Sequence, residues 1–161
     1  MSETCGHHHA DGPPGAADVA QAMQAADRRL TAEGERMTPP RLRVLELLLA
    51  AGEPVKAYDL IARFGEDGQP AKPPTVYRAL EFLERKGLAH RIASISAYVA
   101  CTSGSVDHAA AFLICDCCGA TAEVSAPVAD DLGRAAEAAG YVIARTTIEA
   151  HGRCPACRVA V

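Results

Sequence analysis

Several features that assign a chain to a class are missing from these 161 residues. No run of about 18 apolar residues exists to span a bilayer. The N-terminus lacks the basic segment and apolar core of an export signal, so the expected location is the cytoplasm. There is no H-E-x-x-H, and no H-x-E paired with P-C-x-x-C: Pro155 follows Cys154, which breaks that order, so an enzyme is not expected. Positive charge is scarce too. Sixteen Lys/Arg against 20 Asp/Glu leave a net charge of −4, which does not suit a phosphate backbone.

Divided along the chain, the charge reads differently. Residues 28–100 carry 12 Lys/Arg against 9 Asp/Glu, residues 101–161 carry 4 against 7, and the first 27 hold four acids and no base. The middle segment alone has the sign a nucleic acid attracts. Seven cysteines stand at 5, 101, 115, 117, 118, 154 and 157. In a reducing compartment an odd and high count argues for metal ligation or redox chemistry over structural disulfides.

Residues 1–17, with Cys5 and the run His7-His8-His9, show no periodic apolar face and read as a tail without structure. From Asp18 to Glu33, Val19, Met23, Ala26 and Leu30 recur at helical spacing. Thr38, as N-cap before Pro39 and Pro40, opens a second helix with Leu42, Leu45, Leu48 and Leu49 inward and Arg41 and Arg43 exposed, ended by Gly52. Ala57 to Phe64 forms a short third helix burying Leu60, Ile61 and Phe64. The fourth spans about Pro73 to Lys86, with Val76, Ala79, Leu80 and Leu83 as its core face and Gly87 as its stop.

The alternating runs Leu88 to Ser94 and Ala97 to Cys101 read as a hairpin. Helix, turn, helix and hairpin make a winged helix-turn-helix domain over residues 18–101. The small polar residues 102–107 read as a hinge. Residues 108–161 form a small α+β domain, with strands at Ala110 to Cys115, Ala120 to Ser125 and Tyr141 to Ala150 and a helix from Pro127 to Ala139 stopped by Gly140. The fold class is therefore α+β.

Cys115 and Cys118 form one C-x-x-C, and Cys154 and Cys157 another. Two such pairs beside sharp turns at Gly119 and Pro155 can set four thiolates around one Zn²⁺ at about 2.3 Å. Buried free cysteines and a thiol-disulfide enzyme are the alternatives. Four cysteines in this pattern rarely arise from packing, and a redox C-x-x-C opens a helix after a strand, whereas the second pair here lies at the chain end. Such a zinc would be structural, with Cys117 a spare thiol or oxidation-sensitive neighbour. A second set of ligands is mixed. A two-residue turn at Ile95-Ser96 would put His90 opposite Cys101; with His108 past the hinge and Glu123 on the next domain's strand, they would make an N₂OS site for Zn²⁺.

The segments Pro73-Pro74-Thr75-Val76-Tyr77-Arg78-Ala79-Leu80, Ser96-Ala97-Tyr98-Val99-Ala100-Cys101, Phe112-Leu113-Ile114-Cys115-Asp116-Cys117-Cys118-Gly119 and Ile148-Glu149-Ala150-His151-Gly152 resemble those of the ferric uptake regulator family, specifically its zinc uptake regulators. The likeness runs over roughly residues 20–158. It implies a homodimer that binds an operator, expected to be palindromic, as a zinc-responsive repressor of zinc uptake genes. It also implies an N-terminal winged helix and a C-terminal α/β dimerisation domain. Two zinc ions per chain are expected: a structural one on Cys115, Cys118, Cys154 and Cys157, and a regulatory one at positions matching His90, Cys101, His108 and Glu123. Iron and peroxide sensors of the superfamily carry a His-rich cluster where this chain has only Asp107-His108-Ala109-Ala110, which favours zinc; His151 is expected to serve local structure. An iron or peroxide sensor on the same scaffold and a plain zinc-ribbon interaction module are the alternatives.

Thr75, Tyr77 and Arg78 lie near the start of the fourth helix, where a recognition helix meets base edges, and Arg78 is expected to read guanine. Tyr58 resembles a family position that approaches DNA. Lys56, Lys72 and Arg91 are expected to hold phosphates.

Overall fold

A computed structural model of the protein describes residues 14–65, 69–101, 110–124, 128–144 and 146–158. The chain divides into two compact units, with the boundary between Val106 and Asp107. The expected hinge at 102–107 lies outside the described residues, as do His108, Cys5 and the His7-His8-His9 run. Among the described residues no helix is long and apolar enough to cross a membrane.

In the first unit, helix α1 (Ala16–Ala32) starts inside the stretch expected to lack structure. Ala16 and Ala17 are strong helix formers, and the Asp18 carboxylate accepts the Gly15 N–H at 3.2 Å. Helix α2 (Pro39–Ala51) opens at Thr38 and ends at Gly52 in the left-handed region, φ 62°. Its buried residues are Val44, Leu45 and Leu48, while Leu42 and Leu49 are only partly buried. A two-residue strand, β1 (Val55–Lys56), precedes α3 (Ala57–Arg63); a pair that short carries no periodicity by which its residues could announce it. Helix α4 (Pro73–Arg85) buries Val76, Ala79, Leu80 and Leu83 as its spacing predicts, and Phe82 besides.

The wing follows as β2 (Ala89–Ile92) and β3 (Ala97–Ala100), in a sheet ordered β1-β3-β2. Its turn corrects an expectation. Strand pairing places His90 opposite Val99 and Ile92 opposite Ala97, so the connection has four residues, Ala93 to Ser96, instead of two. Cys101 donates its N–H to the Leu88 carbonyl at 3.0 Å. Two-residue hairpin turns need left-handed backbone that Ile-Ser does not readily supply; only Ser96 takes positive φ, 52°. Because the slip is two residues, His90, Val99 and Cys101 still share one face of the wing.

Helices α1, α2, α3 and α4 with the wing enclose one core, in which Leu30, Val44, Leu48, Val76 and Leu83 are fully buried. Each such side chain contributes roughly 1.5–3 kcal/mol. Arg41 and Arg43, expected to be exposed, are half-buried: Arg41 lies over the Phe82 ring, 3.4 Å from its centroid, and Arg43 donates to the Phe64 carbonyl at 2.7 Å. Lys86, at the end of α4, binds Glu33 at 3.1 Å and Glu35 at 3.0 Å. Arg29 donates to the Lys86 carbonyl. Together these contacts fix the end of α4 opposite to the one that carries the exposed residues described below.

The second unit is a three-stranded sheet ordered β5-β4-β6. Strand β4 (Ala110–Cys115) runs antiparallel to β5 (Thr121–Val124) and parallel to β6 (Thr147–Gly152). Helix α5 (Val128–Ala138) lies between β5 and β6 in sequence, and Gly140 at φ 78° closes it. The last strand is shorter than its apolar pattern predicts: residues 141–144 are not strand, and Tyr141, Val142 and Ile143 are exposed. A single turn, α6 (Pro155–Arg158), was not expected. The α+β class and the winged-helix architecture are as the sequence predicts.

Candidate metal centres and nucleic-acid interface

Two tight turns build the four-thiol centre. After β4 the chain reverses through Gly119, at φ 76°, with the Gly119 N–H returning to the Cys115 carbonyl at 2.9 Å. After β6, Pro155 opens α6. Since β4 and β6 run parallel with Cys115 opposite Gly152, both turns emerge at the same end of the sheet. The Sγ atoms of Cys115, Cys118, Cys154 and Cys157 consequently lie within 4.8 Å of one another, with Cys118 and Cys154 at 3.8 Å. Four thiolates at a Zn–S distance of about 2.3 Å would be spaced by about 3.8 Å, so the donor set fits that ion.

The electrostatics agree with the geometry. The Cys154 N–H donates to Cys115 Sγ at 3.3 Å. That bond, with further N–H groups from Cys118 and Cys117, lowers the Cys115 thiol to about 6. Burial, and then the neighbouring thiols, push Cys157 in the opposite direction. Full deprotonation of four such neighbouring thiols, with one lowered and another raised, is favoured by a cation among them. His151 on β6 lies outside this set; its Nδ1 meets Asp116 Oδ1 at 2.9 Å, tying the first turn to β6. Asp116 was not singled out in the sequence, and its place between the two paired cysteines was the available signal. Cys117 is exposed.

Of the second ligand set, His90 and Cys101 are half-buried on one face of the wing. Glu123 is half-buried on β5 opposite Phe112, in the other unit. His108 falls outside the described residues.

The residues expected at DNA all belong to the helical unit. Tyr77 and Arg78 project from the first half of α4, with Tyr77 51% exposed, and Thr75 is half-buried in its opening turn. Tyr58, the second residue of α3, is 78% exposed. Lys56 and Lys72 stand exposed at the N-caps of α3 and α4, and Arg91 is exposed on β2. Tyr77 and Arg78 stand on the N-terminal half of α4 and Lys72 caps it, while its opposite face is core.

A winged helix joined in one chain to a sheet unit with four clustered thiols defines a metal-binding protein of helix-turn-helix type. The model of the ferric uptake regulator family matches residues 32–151. The zinc uptake regulation protein of Escherichia coli strain K12 is 39% identical over 137 residues, covering 84% of this chain and 80% of that protein. A zinc uptake regulator solved in complex with zinc and DNA has a TM-score of 0.78 at 38% identity, covering 88% of this chain and 96% of that one. Holo XcZur gives 0.76 at 40% identity, covering 86% and 98%. The chain belongs to the ferric uptake regulator family, in its zinc uptake regulator branch.

Proposed function

We propose that the protein is a zinc-responsive transcriptional repressor, not an enzyme, which binds a palindromic operator as a homodimer in the cytoplasm and controls zinc uptake genes. The observation that carries this reading is the 38% identity, over 88% of the chain, to a regulator solved with zinc and DNA. The exposed Tyr77 and Arg78 on α4 add support. Arg78 reads guanine and Tyr77 and Thr75 flank it, Tyr58 approaches the duplex from α3, and Lys56, Lys72 and Arg91 hold phosphates.

Two zinc ions per chain complete the reading. Cys115, Cys118, Cys154 and Cys157 hold a structural ion, supported by the clustering of their sulfurs. His90, Cys101, His108 and Glu123 hold a regulatory one. His90 and Cys101 precede the boundary at Val106 and Asp107, and His108 and Glu123 follow it. Closing these four ligands on one ion ties the wing to the sheet unit. That restraint holds the two recognition helices of a dimer at the spacing of successive major grooves, about 34 Å. Zinc is thus an effector that favours the DNA-competent arrangement. Exposed Leu113, Leu132, Tyr141 and Val142 on the sheet unit support self-association there.

The test is a DNA-binding titration against buffered free zinc, run beside iron and manganese. Zinc restores operator binding after chelation. Cys101→Ser keeps the dimer and one zinc per chain but loses zinc-dependent binding. Operator binding that is indifferent to zinc, or restored by iron instead, overturns the reading.

A further inference from the structure

Helix α3 is seven residues long, too short to hold its direction by its own backbone bonds. Its last turn offers carbonyls that no N–H within the helix can reach, and three of these are met from elsewhere in the helical unit. The Ala71 N–H, just ahead of α4, donates to the Ile61 carbonyl at 3.0 Å. Arg43 on α2 serves the other two: Nε donates to the Phe64 carbonyl at 2.7 Å and Nη2 to the Arg63 carbonyl at 3.1 Å. Its third nitrogen, Nη1, binds Glu46 Oε2 at 2.7 Å. One edge of a planar fork thus grips two successive carbonyls while a carboxylate steadies the fork, a pattern that a lysine ammonium cannot reproduce. The turn that follows is tight as well. The Gly65 N–H donates to the Gln69 carbonyl at 3.0 Å, and a Cβ on Gly65 would meet that oxygen at 2.5 Å.

The gripped end of α3 lies away from Tyr58, the exposed residue in its first turn. Six residues separate Tyr58 from Phe64, about 9 Å of helix, so a tilt of about 10° at the anchor moves Tyr58 by about 1.5 Å. A shift of that size exceeds the range of a good hydrogen bond. The side chain of Arg43 is 26% exposed, and all three of its nitrogens are engaged inside the unit, so its charge serves this turn first.

We propose that Arg43 is a positioning residue for sequence reading: by holding the end of α3 it sets the angle between α3 and α4, and so lets Tyr58 and Arg78 meet one operator half-site together. This rests on the reading that α3 and α4 lie against operator DNA. Arg43 itself touches no base.

The test uses the full chain with zinc bound. Affinities are measured at one salt concentration for a duplex that the parent chain selects from a randomised pool, and for a scrambled duplex of the same length and composition. Arg43→Ala is expected to keep its zinc and its affinity for the scrambled duplex while selectivity falls roughly tenfold. Its Gly65 and Ala71 amides exchange faster with solvent. Arg43→Lys, which reaches one carbonyl, recovers only part of the loss. Leu48→Val, a cavity in the core face of the same helix, controls for stability: it lowers the melting temperature and keeps the parent's selectivity. Unchanged selectivity in Arg43→Ala overturns the proposal, as does full recovery in Arg43→Lys or an equal loss in Leu48→Val. Equal weakening on both duplexes makes Arg43 a phosphate contact and overturns it too. Should Arg43→Ala fail to fold, Arg43→Lys decides, and parental selectivity there is the overturning result. A parent chain that selects no duplex from the pool sinks the operator reading itself, a failure distinct from the others.

Discussion

The two units of this chain are held together by different means. The helical unit encloses Leu30, Val44, Leu48, Leu60, Val76, Leu80, Phe82 and Leu83 in one continuous core. The sheet unit, among its described residues, buries only Ala110, Ala111, Phe112, Ile114, Cys115 and Cys157, two of which are thiols of the metal centre. A domain that small falls short of the apolar area that offsets chain entropy. The comparison teaches that hydrophobic burial suffices in one half, whereas in the other the proposed coordination at the four thiols would have to add to it.

Breaking each half separately sharpens that contrast. Cys154→Ser is expected to have the largest effect: zinc is lost from the four-thiol centre and the sheet unit unfolds, while the helical unit keeps its own thermal transition. Metal analysis and calorimetry check this, and a single unchanged transition would contradict it. Leu83→Ala should do the reverse. It lowers the stability of the helical unit by about 2–5 kcal/mol through the cavity it leaves, and the four-thiol zinc stays in place by metal analysis.

The smallest effect concerns the Lys86 contacts. The hydrogen bond from Lys86 lowers the Glu35 carboxyl below its ordinary 4.5. The same bond, followed by that to Glu33, raises Lys86 above 10.5. The Glu35 contribution is therefore fully present above pH 4.5 and lost as pH falls through its lower folded value. The Lys86 contribution is present below pH 10.5 and lost as pH rises through its raised value. Lys86→Ala should lower the helical transition slightly at neutral pH and converge with the parent chain in acid. A gap between the two melting curves that stays constant into strong acid would show that the pair adds nothing.

Much of this was legible in the residues. The spacing of Val76, Ala79, Leu80 and Leu83 gives the buried face of α4 because a helix repeats every 3.6 residues. The two C-x-x-C pairs point to a common centre because their spacing suits one tetrahedral ion. What escaped had no period to betray it. Strand β1 is two residues long, and α6 is a single turn after a proline. The length of the wing turn depends on which residue accepts left-handed backbone, and Ser96 alone does. His90 and Cys101 nonetheless stayed on one face, because the error was an even number of residues. Arg41 looks solvated in any helical pattern, yet a long side chain can fold back over a ring such as Phe82. Tyr141, Val142 and Ile143 look like strand, yet their side chains are exposed and residues 141–144 are not strand.

The parallel pairing of β4 with β6 makes the four-thiol centre a gauge of strand alignment. If β6 slid by one residue against β4, Cys154, two residues past its end, would be carried about 3.3 Å, farther than a whole zinc–sulfur bond of about 2.3 Å. The pairing of Cys115 with Gly152 is the register that brings all four sulfurs within 4.8 Å of one another. The stretch through α5 between β5 and β6 supplies none of the four sulfurs, so its length can drift while the two ends remain locked in step.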